Sequence, residues 1–285
     1  MIIIKLLFLS LLLFFCKSIY ILKPRYNDIL QNIIDNKNNN NSNIISHVIH
    51  RTWKTTFVPI RFSEWLKSWS LNNKNWNHII WTDEDNDILI KYFFPWFLNT
   101  WNDKKRKHLF FQRSDMIRYF ILYQFGGIYM DLDYECIQPF DEFIKTKTIF
   151  FGYEPVEHYN GNNISCNAFM ASYPKHPFWI YVIYSIMNAS DSIKKQGAIQ
   201  STGPLMLQKA FEMYHQKTKY NKDPNLNVEV LPSYILYPYK QKIKKNITMA
   251  VHHNVKTNIH KQKYFGNKNI PIDQIIPSVK KPFLK

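Results

Sequence analysis

Glycine is scarce in this chain, with seven among 285 residues, and low complexity is confined to the asparagine-rich stretch at 36–43. That composition excludes repeat and fibrous architectures. Cysteine is scarcer still, with Cys16, Cys136 and Cys166. Three sulfurs cannot build a disulfide scaffold; an oxidising lumen would let Cys136 and Cys166 pair, and the sequence leaves that open. Acidic residues are in deficit, 21 against 37 Lys and Arg, which gives a formal charge of +16. No zinc-finger spacing or aromatic RNA-binding signature accompanies the excess, so nucleic acid is not expected as a partner. A basic surface without such motifs suits a membrane surface of anionic headgroups, or phosphorylated substrates. What is abundant is apolar side chain, 46% of the residues, and aromatic rings, 16%. At this length that is enough for one large α/β domain in preference to two small ones.

The opening "MIIIKLLFLSLLLFFCKSIYIL" carries an apolar run from Leu6 to Cys16. It reads either as a signal peptide cleaved near Cys16 and Ser18, or as a signal anchor with Lys5 and Lys17 snorkelling. Lys17, Lys23 and Arg25 sit on the far side, which the positive-inside rule does not favour for a lumenal catalytic domain. Residues 1–22 are assigned to this segment, 23–43 to a polar stem, 44–265 to the catalytic domain and 266–285 to a basic tail. The expected location is the secretory pathway: a Golgi or ER membrane with a lumenal catalytic domain, or outside the cell if the signal is cleaved. Sequons stand at Asn40, Asn163, Asn188 and Asn246, but asparagine is frequent enough here to produce them by chance.

Strands are predicted at 44–53, 76–81, 148–153, 165–172 and 228–231. Helices are predicted at 63–70, 105–125, 176–188 and 204–215, with Thr82 capping a further helix whose first-turn acids suit the helix dipole. This alternation predicts an α/β sandwich, a mainly parallel sheet with helices on both faces. Between the helix ending at Gly126 and the next strand runs "FGGIYMDLDYEC", Phe125–Cys136. Ile128, Met130 and Leu132 alternate with Tyr129, Asp131 and Asp133, a period-2 pattern that predicts a strand with both carboxylates on one face. Two acceptor-only groups side by side repel unless a cation lies between them, and a divalent cation suits such oxygens. Asp115 and Arg118, three apart on the preceding helix, share a face among apolar neighbours; a covered ion pair is expensive unless it is used. Asp115 could there accept sugar hydroxyls with Arg118 holding it in place. His252 and His253 follow the apolar "ITMAV". Adjacent strand residues point to opposite faces, so one of them at most is expected at the metal, and parity with Ile247, Met249 and Val251 favours His253.

"HVIHRTWK", "NHIIWTDED", "RSDMIRYFILYQFGGIYMDLDYEC", "NAFMASYPKHPFW", "STGPLML" and "MAVHH" fall in this order from Val48 to His253. Together they resemble the family 32 glycosyltransferases, the DXD sugar-binding group, which includes yeast mannosyltransferases. The resemblance implies a GT-A fold and a retaining, metal-dependent hexosyltransferase using Mn²⁺ or Mg²⁺ and a nucleotide-sugar donor. GDP-mannose is the favoured donor, ahead of UDP-galactose or UDP-N-acetylglucosamine. The implied acceptor is a glycan or glycolipid such as inositol phosphoceramide. It places Asp131 and Asp133 at the metal and Asp115 and Arg118 on the donor sugar. His50, Thr52 and Trp53 fall on the nucleotide side, partly through their backbone; Gly127 falls at the donor site, and Asn167 faces either the donor or the acceptor. One departure stands out: after His253 the chain reads "NVKTNIH" where relatives often carry a tryptophan, which puts the contacts to the departing diphosphate in doubt. Two rivals remain. A haloacid-dehalogenase-type phosphatase also uses Asp-x-Asp after a strand, but usually has Thr or Val where Glu135 stands; an inactive sugar- or lipid-binding protein is the other.

Overall fold

The computed structural model describes residues 43–220, 223–255 and 268–283; the predicted signal segment and stem lie outside the described residues. Eleven strands are described. β1 is Val48–Thr52, β2 Phe57–Pro59, β3 Asn77–Trp81, β4 Gly127–Met130, β5 Tyr134–Cys136 and β6 Ile149–Tyr153. β7 is Ser165–Ser172, β8 Glu229–Leu231, β9 Ala250–His252, β10 Asn269–Pro271 and β11 Val279–Lys280. The main helices are α1 (Ser63–Asn72), α2 (Asp83–Phe93), α3 (Leu109–Phe125), α4 (Pro177–Met187) and α5 (Pro204–Thr218). Among the described residues no helix is long and apolar enough to cross a membrane.

Seven strands form the central sheet in the order β11-β3-β1-β4-β7-β6-β8. Pairing is parallel from β11 through β4 and between β6 and β8, whereas β7 runs antiparallel to both of its neighbours. The expected α/β architecture with a mainly parallel sheet is therefore present. Strands buried on both faces carry near-continuous apolar sequence, and the two faces separate cleanly. Val48, Ile79, Trp81 and Tyr129 pack with α2, α3, α4 and α5. Ile49, Ile128 and Met130 pack on the other side with Trp69 of α1 and with β5 and β9.

Local chemistry explains the ends that matter. Thr82 caps α2 through a reciprocal pair with Asp85: its backbone N–H donates to Asp85 Oδ2 at 2.9 Å, and its Oγ1 accepts from Asp85 N at 3.3 Å. At the start of β4, Gly127 has φ +81°, and a Cβ there would stand 2.6 Å from the Val48 carbonyl. That glycine lets β4 leave α3 and lie against β1.

Two expectations are corrected. Of the predicted tail at 266–285, the described residues 268–283 are not an appendage: β10 pairs with β2, β11 forms the sheet edge beside β3, and Phe283 is buried in the core against Trp81. Lys268, Lys280 and Lys281 flank a run of apolar anchors, Ile272, Ile275 and Ile276. The predicted strand through Asp133 is also too long. β4 ends at Met130 with all four residues buried, and the two aspartates stand on the turn that follows. Cys136 and Cys166 are both free thiols.

Candidate active site

Chain direction creates the site. β1 and β4 are neighbours, and the connection leaving β1 goes to β3 on one side while the one leaving β4 goes toward β6 and β7 on the other, which is where α/β sheets open a crevice. A cavity of about 1190 Å³ lies there. Its wall includes Thr52 and Trp53 from the end of β1, Asp83 and Asn86 from α2, and Asp115 and Arg118 from α3. Asp131 and Asp133 complete it after β4, with His252 from β9.

The turn after β4 is held by Asp131 N–H donating to the Ala168 carbonyl at 2.9 Å. Leu132 turns away into a small core with Val58, Phe62 and Ile272, so both carboxylates face the cavity. Sequence alternation anticipated that facing, though a turn achieves it. Ligand atoms of Asp131, Asp133 and His252 lie within 4.8 Å of one another. His252 Nε2 is 3.1 Å from Asp133 Oδ1, and the Val255 N–H donates to Asp133 Oδ2 at 2.7 Å. Burial opposes the charged forms, yet each group supports its partner: Asp133 is held below the usual carboxylate range by His252 and Val255, and His252 is raised by Asp133. Two carboxylates and one imidazole are a donor set that fits Mn²⁺.

His253 is not with them. Its Nε2 lies 2.9 Å from Glu135 Oε2, and its ring stacks on Trp65 with centroids 3.9 Å apart. Parity failed as a guide because Met249, Ala250 and Val251 are all buried, so alternation does not mark the exposed side. The antiparallel register decides instead: β9 pairs His252 with Tyr134, whose ring it stacks against at 4.4 Å, beside Asp133.

Asp115 and Arg118 form a connected network. Arg118 is 3.4 Å from Asp115 and 3.3 Å from Asp131, and its Nη1 donates to the Asn167 carbonyl at 2.7 Å. Asp115 Oδ1 accepts from Asn167 Nδ2 at 2.9 Å and Oδ2 accepts from Thr202 Oγ1 at 3.1 Å. Burial raises Asp115 and Asp131, with Arg118 working against the rise in both. For Arg118 burial is outweighed by Asp131, Tyr129 and Asp115, and its pKa is raised. The guanidinium thus ties α3 to the turn that carries Asp131. Gly203 allows the close approach of the Thr202 loop, since a Cβ there would meet Asp115 Oδ2 at 3.0 Å.

Other expected positions fall behind the wall. The His50 side chain is fully buried on the α3 side of the sheet and accepts from Trp81 Nε1 at 3.1 Å. Burial lowers its pKa to about 3, so its side chain is a neutral core imidazole outside the cavity. Gly127 packs against Val48 and His50, away from the cavity. Asn167 reaches the site by supporting Asp115 and Arg118. Thr52 and Trp53 do line the cavity. Two supports were not foreseen: the Tyr129 hydroxyl, 2.9 Å from Thr52 Oγ1 and donating to Asp131 Oδ1 at 3.1 Å, and Thr202. Tyr129 stands two residues before Asp131 in the alternating stretch, and Thr202 lies within "STGPLML"; each was visible as a residue but not as a contact.

Comparison with known proteins agrees with this geometry. Residues 59–150 match the family described as glycosyltransferase sugar-binding region containing DXD motif. A mannosyl phosphorylinositol ceramide synthase of Saccharomyces cerevisiae is 33% identical over 173 residues, covering 60% of this chain and 43% of the relative. An inositol phosphoceramide mannosyltransferase of Schizosaccharomyces pombe is 32% identical over 199 residues, covering 68% of this chain and 57% of the relative. The initiation-specific alpha-1,6-mannosyltransferase of Candida albicans is 27% identical over 100 residues, 34% of this chain and 26% of the relative. The chain spans about half the length of the first two relatives.

Proposed function

We propose that this chain, whose residues 59–150 belong to the DXD-containing glycosyltransferase sugar-binding family, is a mannosyltransferase. In this reading it moves mannose from GDP-mannose to inositol phosphoceramide or a closely related anionic glycolipid. The observation that carries the reading is the convergence of Asp131, Asp133 and His252 beside the Asp115–Arg118 pair on one cavity wall. The names of the two yeast relatives support the choice of sugar and acceptor.

Asp131, Asp133 and His252 would hold Mn²⁺ or Mg²⁺, which supplies Lewis-acid stabilisation of the charge that develops on a departing diphosphate. The chain's own side chains do the rest. Arg118 fixes Asp115 and Asp131 relative to each other, so that Asp115, with lone pairs left over, accepts hydroxyls of the donor sugar. Lys54 and Arg61 line the same cavity and add positive charge on the side where phosphates would lie. Phe57, Phe110, Phe111 and Ile199 line it as well, each well exposed. Apolar side chains gathered around a polar cavity suit an acceptor whose sugar head enters while its lipid stays in a membrane surface. Retention of anomeric configuration belongs to the same reading, and NMR of the first-formed product tests it.

A lumenal catalytic domain in the secretory pathway is the matching location, motivated by the apolar opening segment; protease protection in sealed microsomes tests it. For the donor, a thermal-shift screen of nucleoside diphosphates with and without Mn²⁺ is the direct test. A rise with GDP that requires Mn²⁺ supports the reading. A rise with UDP alone transfers the reading to a UDP-sugar, and no rise with any nucleotide refutes it.

A further inference from the structure

Acidic residues are missing from a long stretch of the chain: between Glu229 and Asp273 stand eight lysines and no Asp or Glu. Four of those lysines, Lys240, Lys242, Lys244 and Lys245, are exposed on the loop that leads into β9. Lysines elsewhere pair with carboxylates, Lys147 with Glu229 at 2.8 Å and Lys194 with Asp103 at 3.5 Å. Among the described residues these four have no ion pair of that kind. Between and beside them, Ile243 and Ile247 are 51% and 48% exposed. Lys240, Gln241 and Asn246 have φ of +49°, +55° and +61°, a region that residues with side chains adopt only when their surroundings hold them there. Fully buried Thr248 anchors the base: its hydroxyl donates to the Tyr234 carbonyl at 2.8 Å and accepts from the Lys244 N–H at 2.9 Å. Gln241 Nε2 lies 3.1 Å from His253 Nδ1, and Asn254 and Val255, which follow His253, line the cavity. The loop therefore stands beside the site.

We infer that this loop docks the chain on a bilayer of anionic lipids, its lysines meeting headgroup phosphates while Ile243 and Ile247 enter the acyl boundary. This rests on the lipid-acceptor reading above and adds how the chain meets the membrane. Charge complementarity carries it: exposed lysines with no carboxylate among them repel one another and gain from a surface of phosphates. Exposed isoleucines interleaved with those lysines gain nothing from a soluble anion, but in a bilayer interface they leave water while the lysine heads stay in it. Nucleic acid fits less well. Lys244 Nζ lies 4.0 Å from the Tyr234 ring centroid and Lys240 Nζ 5.2 Å from that of Tyr239, so the loop's own lysines occupy ring faces on which a base would stack. The cavity beside the loop is also lined by the exposed Phe110 and Phe111 of α3, so basic and apolar contacts adjoin one opening.

Flotation of the purified full chain with vesicles tests the assignment, using phosphatidylcholine alone or with about a third phosphatidylinositol or phosphatidylserine. Apolar segments partition into all of these, so the readout is the anionic-to-neutral ratio of partition coefficients. At about fivefold per lysine near the surface, the wild-type ratio is expected to reach at least about twenty, alike for both anionic lipids. It should fall toward one in about 1 M salt, where screening shortens to about 3 Å. Lys240→Gln, Lys242→Gln, Lys244→Gln and Lys245→Gln together should cut the ratio at least about tenfold. Ile243→Ser with Ile247→Ser should weaken binding to anionic vesicles several-fold. A control with Lys74→Gln, Lys195→Gln, Lys209→Gln and Lys219→Gln, all exposed positions, removes the same charge and should stay within about twofold of wild type. A wild-type ratio near one overturns the inference, as does a loop variant that keeps the ratio or a control that loses as much. Vesicle binding that is absent beside heparin binding that needs the four loop lysines would assign the loop to a soluble polyanion and overturn it too. Mannose transfer to inositol phosphoceramide in detergent micelles reads the acceptor apart from docking: transfer beside failed flotation removes only the loop's role and leaves the proposed function standing.

Discussion

Replacement of Arg118 by methionine probes the joint between α3 and the turn that carries Asp131. The guanidinium is buried, lies 3.4 Å from Asp115 and 3.3 Å from Asp131, and donates to the carbonyls of Asn167 at 2.7 Å and Ser114 at 3.2 Å. Methionine fills much of the volume but leaves two carboxylates without their cation and the Asn167 carbonyl without that donor. Breaking a buried pair from one side costs about 3–5 kcal/mol. Asp131 keeps 32% of its side-chain surface exposed, so water recovers part of that loss and the lower figure, about 3 kcal/mol, applies. At roughly 2–4 °C per kcal/mol for a domain of this size, the melting temperature should fall by about 6–12 °C. Differential scanning calorimetry in EDTA reads this without interference from bound metal. Adding Asp115→Asn to Arg118→Met should restore part of the loss, because one of the stranded charges is gone, with a coupling of about 1–3 kcal/mol. A melting temperature within 2 °C of wild type, or strict additivity in the double variant, would show that the pair does not act as a buried joint.

Other perturbations address separate parts of the account. Gly127→Ala forces a side chain into φ +81° and to 2.6 Å from the Val48 carbonyl; a loss of about 2 kcal/mol or more in urea unfolding is expected, and an unchanged midpoint would contradict it. Phe283→Ala removes a ring packed edge-on to Trp81 and should cost about 3 kcal/mol; a neutral result would mean that residues 279–283 are not part of the sheet core. His252→Ala should raise the Mn²⁺ concentration needed for half-maximal thermal shift, whereas His253→Ala should not; the opposite pattern would reinstate His253 as the ligand. Phe110→Ser with Phe111→Ser should weaken sedimentation with anionic phosphatidylinositol vesicles by several-fold, while equal binding would remove the apolar rim from acceptor access.

Much of the architecture was legible because the elements are strongly patterned. Ser165–Ser172 was read to the residue, Thr82 was read as the cap of α2, and α3 was read with its true end at Gly126 although it starts at Leu109 and not at 105. Carboxylate placement was legible in outcome, since Asp131 and Asp133 do face one cavity, but not in cause. Alternation suggested a longer strand where the chain turns after Met130. The histidine assignment failed for a related reason: β9 is apolar on both sides, so the choice depended on its register with β5, a contact more than a hundred residues away in sequence. The C-terminal strands were masked by their lysines. Two- and three-residue strands carry too little periodicity to read, and the sheet edge tolerates charge. His50 looked like a donor-site residue from its motif, yet the parity of β1 sends it into the core between Trp81 and Phe125.

The central claim is that Asp131, Asp133 and His252 form the working end of a mannosyl-transfer site. Its most direct test is transfer of radiolabelled mannose from GDP-mannose to inositol phosphoceramide in detergent micelles by the purified full chain. The assay is run with Mn²⁺, with excess EDTA, and with Asp133→Asn. The account predicts mannosylated lipid from the wild-type chain with Mn²⁺, none in EDTA, and a loss of at least about a thousandfold in Asp133→Asn, which still melts as a folded protein in EDTA though below wild type, since the His252 pairing is lost. Transfer that persists in EDTA or in Asp133→Asn would contradict it.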